Sequence, residues 1–267
     1  DPIVRDNCDP DPILHWSRSD GRDLHDPYFE PASEVTICFW GEDCAGNITD
    51  PQECFTVTVE ICGLCFYTKG FYGNEGGLGW TVDCDMQYSA SQMMQAVLPE
   101  GYEEFGTEFN NFKLESSDLT LGNIFYMLPG GSTPAVLGGG VATYADPDSW
   151  YIVPLDPDNN GSILNNLLAQ TITFYFNLGN NPDAPDHTIG GNVLVTIESD
   201  CSFETTTGDP QSFPIPQAVI DELNGNPVYD GGATLSNLLQ LAKDVLGGDN
   251  SNVTPTNVTA ALDAFNK

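Results

Sequence analysis

The chain has 267 residues, of which 39 are acidic and only 7 are basic, so its formal net charge at pH 7 is −32. It lacks the clustered Lys and Arg that neutralise a nucleic-acid backbone or an anionic membrane leaflet, and we expect neither partner. With 40% hydrophobic and 10% aromatic residues, it is expected to fold rather than to remain an acidic tail.

The eight cysteines predict disulfides, because their number is even and no histidines stand at zinc-ligand spacing. They are Cys8, Cys38, Cys44, Cys54, Cys62, Cys65, Cys84 and Cys201. The sequence opens at Asp1 without the features of a signal peptide, and no apolar run reaches the length of a membrane span. We therefore expect a processed chain, or a piece of a longer one, that is secreted or displayed at the cell surface without membrane insertion.

Two strands are predicted near the N-terminus. "EVTICFW" (34–40) and "CFTVTVEI" (54–61) alternate apolar and polar residues, and the segment between them is rich in turn formers. Such a pair predicts a hairpin at the edge of a sandwich.

Residues 1–61 resemble the hyalin repeat (HYR), an immunoglobulin-like module of extracellular and adhesive proteins. The resemblance lies in the "DNC" segment that ends at Cys8, the "DCAGN" turn at 43–47 and the strand that begins with "CFTVTV" at Cys54. It implies an immunoglobulin-like β-sandwich with a Cys8–Cys54 disulfide. Cys38 and Cys44 are additional to the family pattern, and we expect them to pair with each other.

The resemblance is incomplete at its start. A hyalin repeat has one or two further strands before the "DNC" segment, whereas only seven residues precede Cys8. An incomplete sandwich leaves an unpaired edge and an open core, which folded proteins avoid. Two explanations stay open: the segment was cut from a longer chain, or a neighbouring subunit supplies the strand by strand addition.

Residues 62–267 predict a disulfide-bonded α+β domain with its helices in the later part. "CGLCFYTKGFYGNEGGLGW" predicts an aromatic-packed loop-and-strand segment, and "GGNVLVTIESDC" predicts a strand. Helical apolar spacing marks the segments 163–179, 216–225 and 234–248, and a last helix is predicted after a cap at Thr256.

This second domain is similar to one in secreted multidomain proteins of Bacteroidota and other bacteria. The similarity lies in an opening at 65–72, a middle at 167–177 and an end at 262–266: "CFYTKGFY", "LLAQTITFYFN" and "LDAFN". The aromatic-Lys-Asn-His pattern common after the opening is replaced here by "GNEGG". The similarity implies location and architecture, and it implies no chemistry.

One loop has the residue order of a calcium ligand set. In "DPDNNGS", Asp156, Asp158 and Asn160 occupy the first, third and fifth positions and a glycine the sixth, which resembles the start of a calcium loop. The twelfth position is Leu167 rather than Glu, so the loop is not an EF-hand. The same residues favour a capping turn, and both interpretations stay open. Calcium is the one cofactor we expect, since dense carboxylates repel one another unless cations screen them; simple solubility in a salty medium is the alternative.

The sequence shows no recognisable catalytic arrangement. "CGLC" at 62–65 has the spacing of a redox pair but precedes an aromatic, strand-like run, so we interpret Cys62 and Cys65 as structural cysteines. The three histidines, His15, His25 and His187, lie in acidic loops outside any nucleophile or zinc motif.

We therefore predict a non-enzymatic extracellular structural or adhesive protein, either a module of a large surface adhesin or a subunit of an extracellular filament. Its expected partners are copies of itself or neighbouring domains of a longer chain. The alternative is a secreted carbohydrate-binding or hydrolytic protein, in which aromatic rings stack on sugars. The residues predicted for that stacking are Trp80, Trp150, Tyr151 and Tyr72, which fit a core equally well.

Overall fold

The computed structural model describes residues 12–25, 34–49, 53–58, 64–80, 86–196 and 210–267. The chain divides into two compact units, Asp1–Cys62 and Gly63–Lys267, where the sequence predicted a boundary between residues 61 and 62. Among the helices of the described residues, none combines the length and hydropathy needed to cross a membrane.

The described strands of the first unit form one antiparallel sheet. They are β1 (Ile13–Arg18), β2 (Glu34–Glu42) and β3 (Glu53–Thr58), in the order β1-β2-β3. The two predicted strands are confirmed as β2 and β3, although residues 59–61 of the second prediction lie outside the described residues. β1 corrects the prediction that His15 lies in a loop: this strand pairs along its full length with β2, from Ile13 opposite Glu42 to Arg18 opposite Ile37.

The second unit combines small sheets with helices, which confirms its predicted mixed content. Its described strands are β4 (Leu78–Trp80), β5 (Gln87–Ser89), β6 (Tyr102–Thr107), β7 (Asn110–Glu115), β8 (Gly140–Thr143), β9 (Leu155–Asp156), β10 (Ser162–Ile163), β11 (Val193–Thr196) and β12 (Gln211–Pro214). Its described helices are α1 (Lys69–Tyr72), α2 (Ala90–Val97), α3 (Ser116–Thr120), α4 (Ile124–Met127), α5 (Asn166–Gly179), α6 (Gln217–Gly225), α7 (Leu235–Gly247) and α8 (Pro255–Phe265).

Helix α5 is the centre of the second unit's core. It begins where the Asn165 side chain accepts hydrogen bonds from the backbone N–H groups of Leu167 and Leu168. Most of its side chains are fully buried, because α7 and α8 both pack against it. A helix that is apolar on nearly all sides is stable only when neighbours cover all of them.

The last helix begins two residues earlier than predicted. Thr254, not Thr256, is its N-cap: the Thr254 hydroxyl accepts from the Asn257 N–H, and Pro255 occupies the first helical position. Proline suits this position because its missing N–H would have had no partner inside the helix. The other predicted late helices are confirmed as α5, α6 and α7. The predicted strand at 190–201 is confirmed over Val193–Thr196, and its last five residues lie outside the described part of the chain.

The largest described sheet of the second unit has the order β6-β7-β8, with β6 antiparallel and β8 parallel to β7. Helix α7 packs against β6. Phe105, Phe112 and Leu114 of this sheet are fully buried and belong to the same core as α5.

Candidate functional site

One face of the first unit's sheet is apolar. Side chains two residues apart on a strand share a face, as do those directly opposite on paired strands. Val35 and Ile37 on this face are buried, whereas Phe55, directly opposite Ile37, leaves 52% of its surface exposed. The Phe55 ring stacks on Phe39 at 6.1 Å between ring centroids. The apolar face is therefore covered over its middle strand and open at β3, among the described residues.

The opposite face is polar and cross-linked. His15 and Glu42 share a hydrogen bond of 2.8 Å, and the His15 ring stacks on Trp40 at 5.6 Å. Cys38 and Cys54 form a disulfide between β2 and β3, with their Cα atoms 4.1 Å apart. The bond ties the edge strand β3 to the centre of the sheet.

The disulfide corrects both predicted pairings. The family resemblance implied Cys8–Cys54, and we expected Cys38–Cys44, but the register places Cys38 directly opposite Cys54 on the adjacent strand. Cys44 lies exposed in the turn beyond the end of β2. The remaining candidates other than Cys65 are Cys8, Cys62, Cys84 and Cys201, and all four lie outside the described residues.

The "DCAGN" turn is organised by one carboxylate. Asp43 accepts hydrogen bonds from the backbone N–H groups of Ala45 and Asn47 and from the Asn47 side-chain amide, at 2.7–2.9 Å. The side-chain and backbone hydrogen bonds of Asn47 are the main reasons why the pKa of Asp43 is lowered. Gly46 has a φ of 82°, in the region that favours glycine. The motif that carried the family resemblance is thus a self-contained turn.

Cys65 does not have the environment of a redox thiol. Its thiol is half-buried, and burial raises its pKa, whereas catalytic thiols have lowered values. Cys65 precedes α1 by four residues, in an extended segment whose backbone is bonded to Asn181. The aromatic run after it was predicted to be strand-like, and the structure corrects this to an extended segment followed by the one-turn helix α1.

Asn177 of α5 and Asn181, two residues beyond the end of that helix, hold this extended segment in place. Asn181 accepts from the Cys65 N–H at 2.9 Å and donates to the Cys65 carbonyl at 3.0 Å. Asn177 does the same for Tyr67, at 2.8 and 2.9 Å. It also accepts from the Tyr72 hydroxyl at 3.1 Å. Both asparagine side chains are fully buried, and each replaces a backbone partner for a segment that pairs with no strand among the described residues.

The same network reaches the end of α8. Asn177 donates to Asn266 at 2.9 Å, and Asn266 donates to the backbone carbonyl and the side-chain oxygen of Gln170. We call the buried set Gln170, Asn177, Asn181 and Asn266 the amide ladder. Sequence reasoning did not identify it, although polar residues inside an otherwise apolar helix were a visible signal. The ladder connects the three segments 65–72, 167–177 and 262–266.

The predicted calcium loop forms a capped turn. The Asp156 carboxylate accepts from the Asp158 N–H at 3.0 Å, and Asn160 adopts a left-handed conformation with φ 52°. The Asn160 carbonyl accepts from the Tyr144 hydroxyl at 2.8 Å. The part of the chain that the structure describes contains no group of three or more His, Cys, Asp or Glu residues able to hold a metal. The capping interpretation accounts for these contacts, and calcium binding stays a prediction.

The four aromatic residues proposed to stack on sugars do not share one environment. Tyr72 is fully buried against Phe176, so its prediction is wrong: no ligand can reach its ring. Trp150 is half-buried and donates its indole N–H to the Tyr144 carbonyl at 3.0 Å. Tyr151 and Trp80 are 80% and 37% exposed, and sugar binding by them stays a prediction.

Comparison of the chain with protein families, with curated proteins and with solved structures found no match.

Proposed function

We propose that this protein is a non-enzymatic extracellular structural or adhesive subunit that assembles with copies of itself. Assembly adds a strand from one copy to the β3 edge of the next, and the added strand completes an immunoglobulin-like sandwich. The observation that carries the proposal is the state of β3: it is an edge of the described sheet, and its Phe55 side chain is 52% exposed on the apolar face.

The backbone geometry shows which groups of β3 are available. In antiparallel pairs, Cα atoms about 4.5 Å apart belong to residues whose N–H and C=O groups point away from the partner strand. Cys54 lies 4.1 Å from Cys38, so its backbone groups point away from β2. Because direction alternates along a strand, those of Thr56 do the same.

The composition of β3 also supports strand addition. Soluble proteins commonly protect edge strands with lysine, proline or a bulge. The strand Glu53–Thr58 contains neither lysine nor proline, and its pairing with β2 runs without a bulge. Its apolar residues Phe55 and Val57 alternate with more polar neighbours. The disulfide to Cys38 holds β3 in register, so an incoming strand meets an edge that is already ordered.

Sedimentation of the full chain tests the proposal. We expect the wild type to form oligomers whose mass rises with protein concentration. Thr56→Pro removes the N–H that points to the open edge and should reduce association at least about tenfold without removing a backbone hydrogen bond to β2. It also removes the side-chain hydrogen bond between Thr56 and Thr36, as the control below does. Thr56→Val keeps that N–H and is the matched control, expected to associate as the wild type does. Circular dichroism and a thiol count verify that the first unit is folded and oxidised.

Two results would overturn the proposal. One is a wild type that stays monomeric at every concentration. The other is a folded Thr56→Pro variant that associates as strongly as Thr56→Val.

A further inference from the structure

Lys69 is held differently from the other lysines of the second unit. Lys113, Lys243 and Lys267 are paired with the carboxylates of Glu104, Glu103 and Asp263, respectively. The Lys69 Nζ instead donates to the Asn166 side-chain oxygen at 2.5 Å and to the Gly130 carbonyl at 3.5 Å. The Lys69 amine therefore contacts the primary amide of Asn166, and this nitrogen–oxygen separation is below the usual range of about 2.7–3.2 Å for an N–H···O bond.

Both groups are fixed by their elements. Lys69 is the first residue of α1, whose N-cap is Thr68, and Asn166 is the first residue of α5, whose N-cap is Asn165. Both residues are half-buried. Burial lowers the pKa of Lys69; the nearby Asp263 opposes this shift and Lys267 adds to it. A larger share of Lys69 is thus the neutral, nucleophilic amine than for an exposed lysine.

We propose that Lys69 and Asn166 become joined by an intramolecular amide bond. The Lys69 Nζ attacks the Asn166 Cγ, an Nζ–Cγ bond forms, the Cγ–Nδ2 bond breaks, and one ammonia leaves. The reaction is an acyl transfer from one nitrogen to another, so it needs no oxidant, reductant or further reactant. The Asn166 Cγ is bonded to the oxygen that Lys69 contacts, at the usual C=O length of about 1.23 Å, so the contact holds the amine beside the carbon that it attacks.

Asp263 acts on Lys69 through its charge. Its carboxylate is oriented by the Gln170 amide at 2.6 Å and the Lys267 ammonium at 2.7 Å. It is close enough to act electrostatically on Lys69. Because Lys69 and Asn166 are only half-buried, water can take the proton from the Lys69 ammonium and give one to the departing Asn166 nitrogen. Gln170 thus both joins the amide ladder and orients Asp263.

The bond would link residues 97 positions apart and close the chain between α1 and α5. This consequence rests on the proposed function: in an extracellular subunit under tension, a pulling force would pass through the Lys69–Asn166 bond, and residues 70–165 would not be stretched. The bond itself does not depend on assembly, so its test and the sedimentation test above can fail independently.

Intact mass spectrometry of the full chain, denatured and with disulfides reduced, tests the proposal. We expect the wild type to be lighter than its sequence by the mass of one ammonia. Trypsin should no longer cleave after Lys69, and a peptide containing both Lys69 and Asn166 should be recovered. Lys69→Arg should restore the full mass, whereas Lys113→Arg, a matched change in an ion-paired lysine, should keep the deficit.

Asn166→Asp gives a second, diagnostic variant, because the same attack on a carboxylic acid releases water instead of ammonia. Folded wild type with the full mass and normal cleavage after Lys69 would overturn the proposal. So would an ammonia deficit that persists in Lys69→Arg, since the loss would then come from another residue.

Discussion

Asn177 and Asn181 fit the extended segment because a spacing of four residues along a helix nearly equals a spacing of two residues along an extended chain. Residues i and i+4 of a helix are separated by about 6 Å along the axis, and residues i and i+2 of an extended chain by about 6.6–6.8 Å. Asn177 lies in the last turn of α5 and Asn181 lies two residues beyond it, and their side chains meet the alternate residues Tyr67 and Cys65, each with a donor and an acceptor. An amide offers both functions in one plane, which no charged side chain does.

Replacing Asn177 by alanine should destabilise the second unit strongly. The change leaves the N–H and C=O of Tyr67, the Tyr72 hydroxyl and the Asn266 amide without that partner in a buried site. Each buried polar group left unpaired costs about 1–3 kcal/mol, and partial relaxation reduces the sum, so we expect a loss of about 4 kcal/mol. Urea denaturation followed by the helical circular dichroism signal measures it, since the described helices all lie in the second unit.

Asn180→Ala is the neighbouring control. Its side chain is half-buried, and its shortest hydrogen bond is to the Phe176 carbonyl within the same helix end, so a loss of about 0.5 kcal/mol is expected. Equal losses in the two variants would show that the ladder contributes no more than an ordinary polar contact.

At the scale of elements, local sequence patterns predicted the helices and strands whose formation depends mainly on residues close together in the chain. Helices α5, α6 and α7 follow from apolar spacing over nine or more residues, and β2 and β3 from strict alternation. The cap of α8 was placed two residues late because Thr254 and Thr256 are equally good caps in isolation; the proline between them favours Thr254.

What the sequence could not predict depends on partners distant in the chain. The Cys38–Cys54 bond follows from the register of β2 and β3, and several cysteine pairings are compatible with one sequence. Lys69 and Asn166 are 97 residues apart, and nothing local marks either as the partner of the other. Tyr72 looked equally suited to a surface and to a core, and only the packing of α1 on α5 decides between them.

The close approach of α7 to β6 depends on a glycine at the end of the helix. A Cβ atom added to Gly247 would lie 2.6 Å from the Thr107 backbone nitrogen, whereas one added to Gly225, the last residue of α6, meets nothing within 4 Å. We expect Gly247→Ala to lower the free energy of unfolding by about 2 kcal/mol through overpacking. Gly225→Ala should raise it by about 0.5 kcal/mol, because alanine restricts the unfolded chain.

The two variants form a matched pair, since each changes the last residue of a described helix by one methyl group. Thermal unfolding of both, measured under the same buffer conditions, gives the comparison. A Gly247→Ala variant as stable as Gly225→Ala would mean that β6 moves away from α7 without cost.

At the scale of the whole molecule, charge is the dominant long-range term. With a formal net charge of −32, every carboxylate is repelled by many others, and this repulsion lowers the stability of the compact state. Three of the lysines described in the second unit are already paired with Glu103, Glu104 and Asp263, so their charge acts mainly on these near carboxylates. Mobile cations must supply the rest of the screening.

Salt should therefore stabilise the protein. The screening length falls from about 10 Å at 0.1 M to about 3 Å at 1 M ionic strength, so NaCl over this range should raise the unfolding midpoint by about 5 °C. Near pH 4, where about half of the carboxyl groups are protonated, the same titration should give a smaller rise. A midpoint that stays constant or falls with NaCl at pH 7 would contradict this account.

The same titration separates calcium binding from screening. CaCl2 at an ionic strength matched to NaCl should raise the midpoint further only if the protein holds calcium at a defined site, as the residue order at 156–162 predicts. Asp156→Asn is the informative variant, because asparagine can still accept the hydrogen bond from the Asp158 N–H while it removes the charge that a calcium ion requires. If calcium binds there, the additional rise disappears in Asp156→Asn and the NaCl response is unchanged. If CaCl2 and NaCl act equally on the wild type, the loop is a capped turn and the acidic surface needs only general screening.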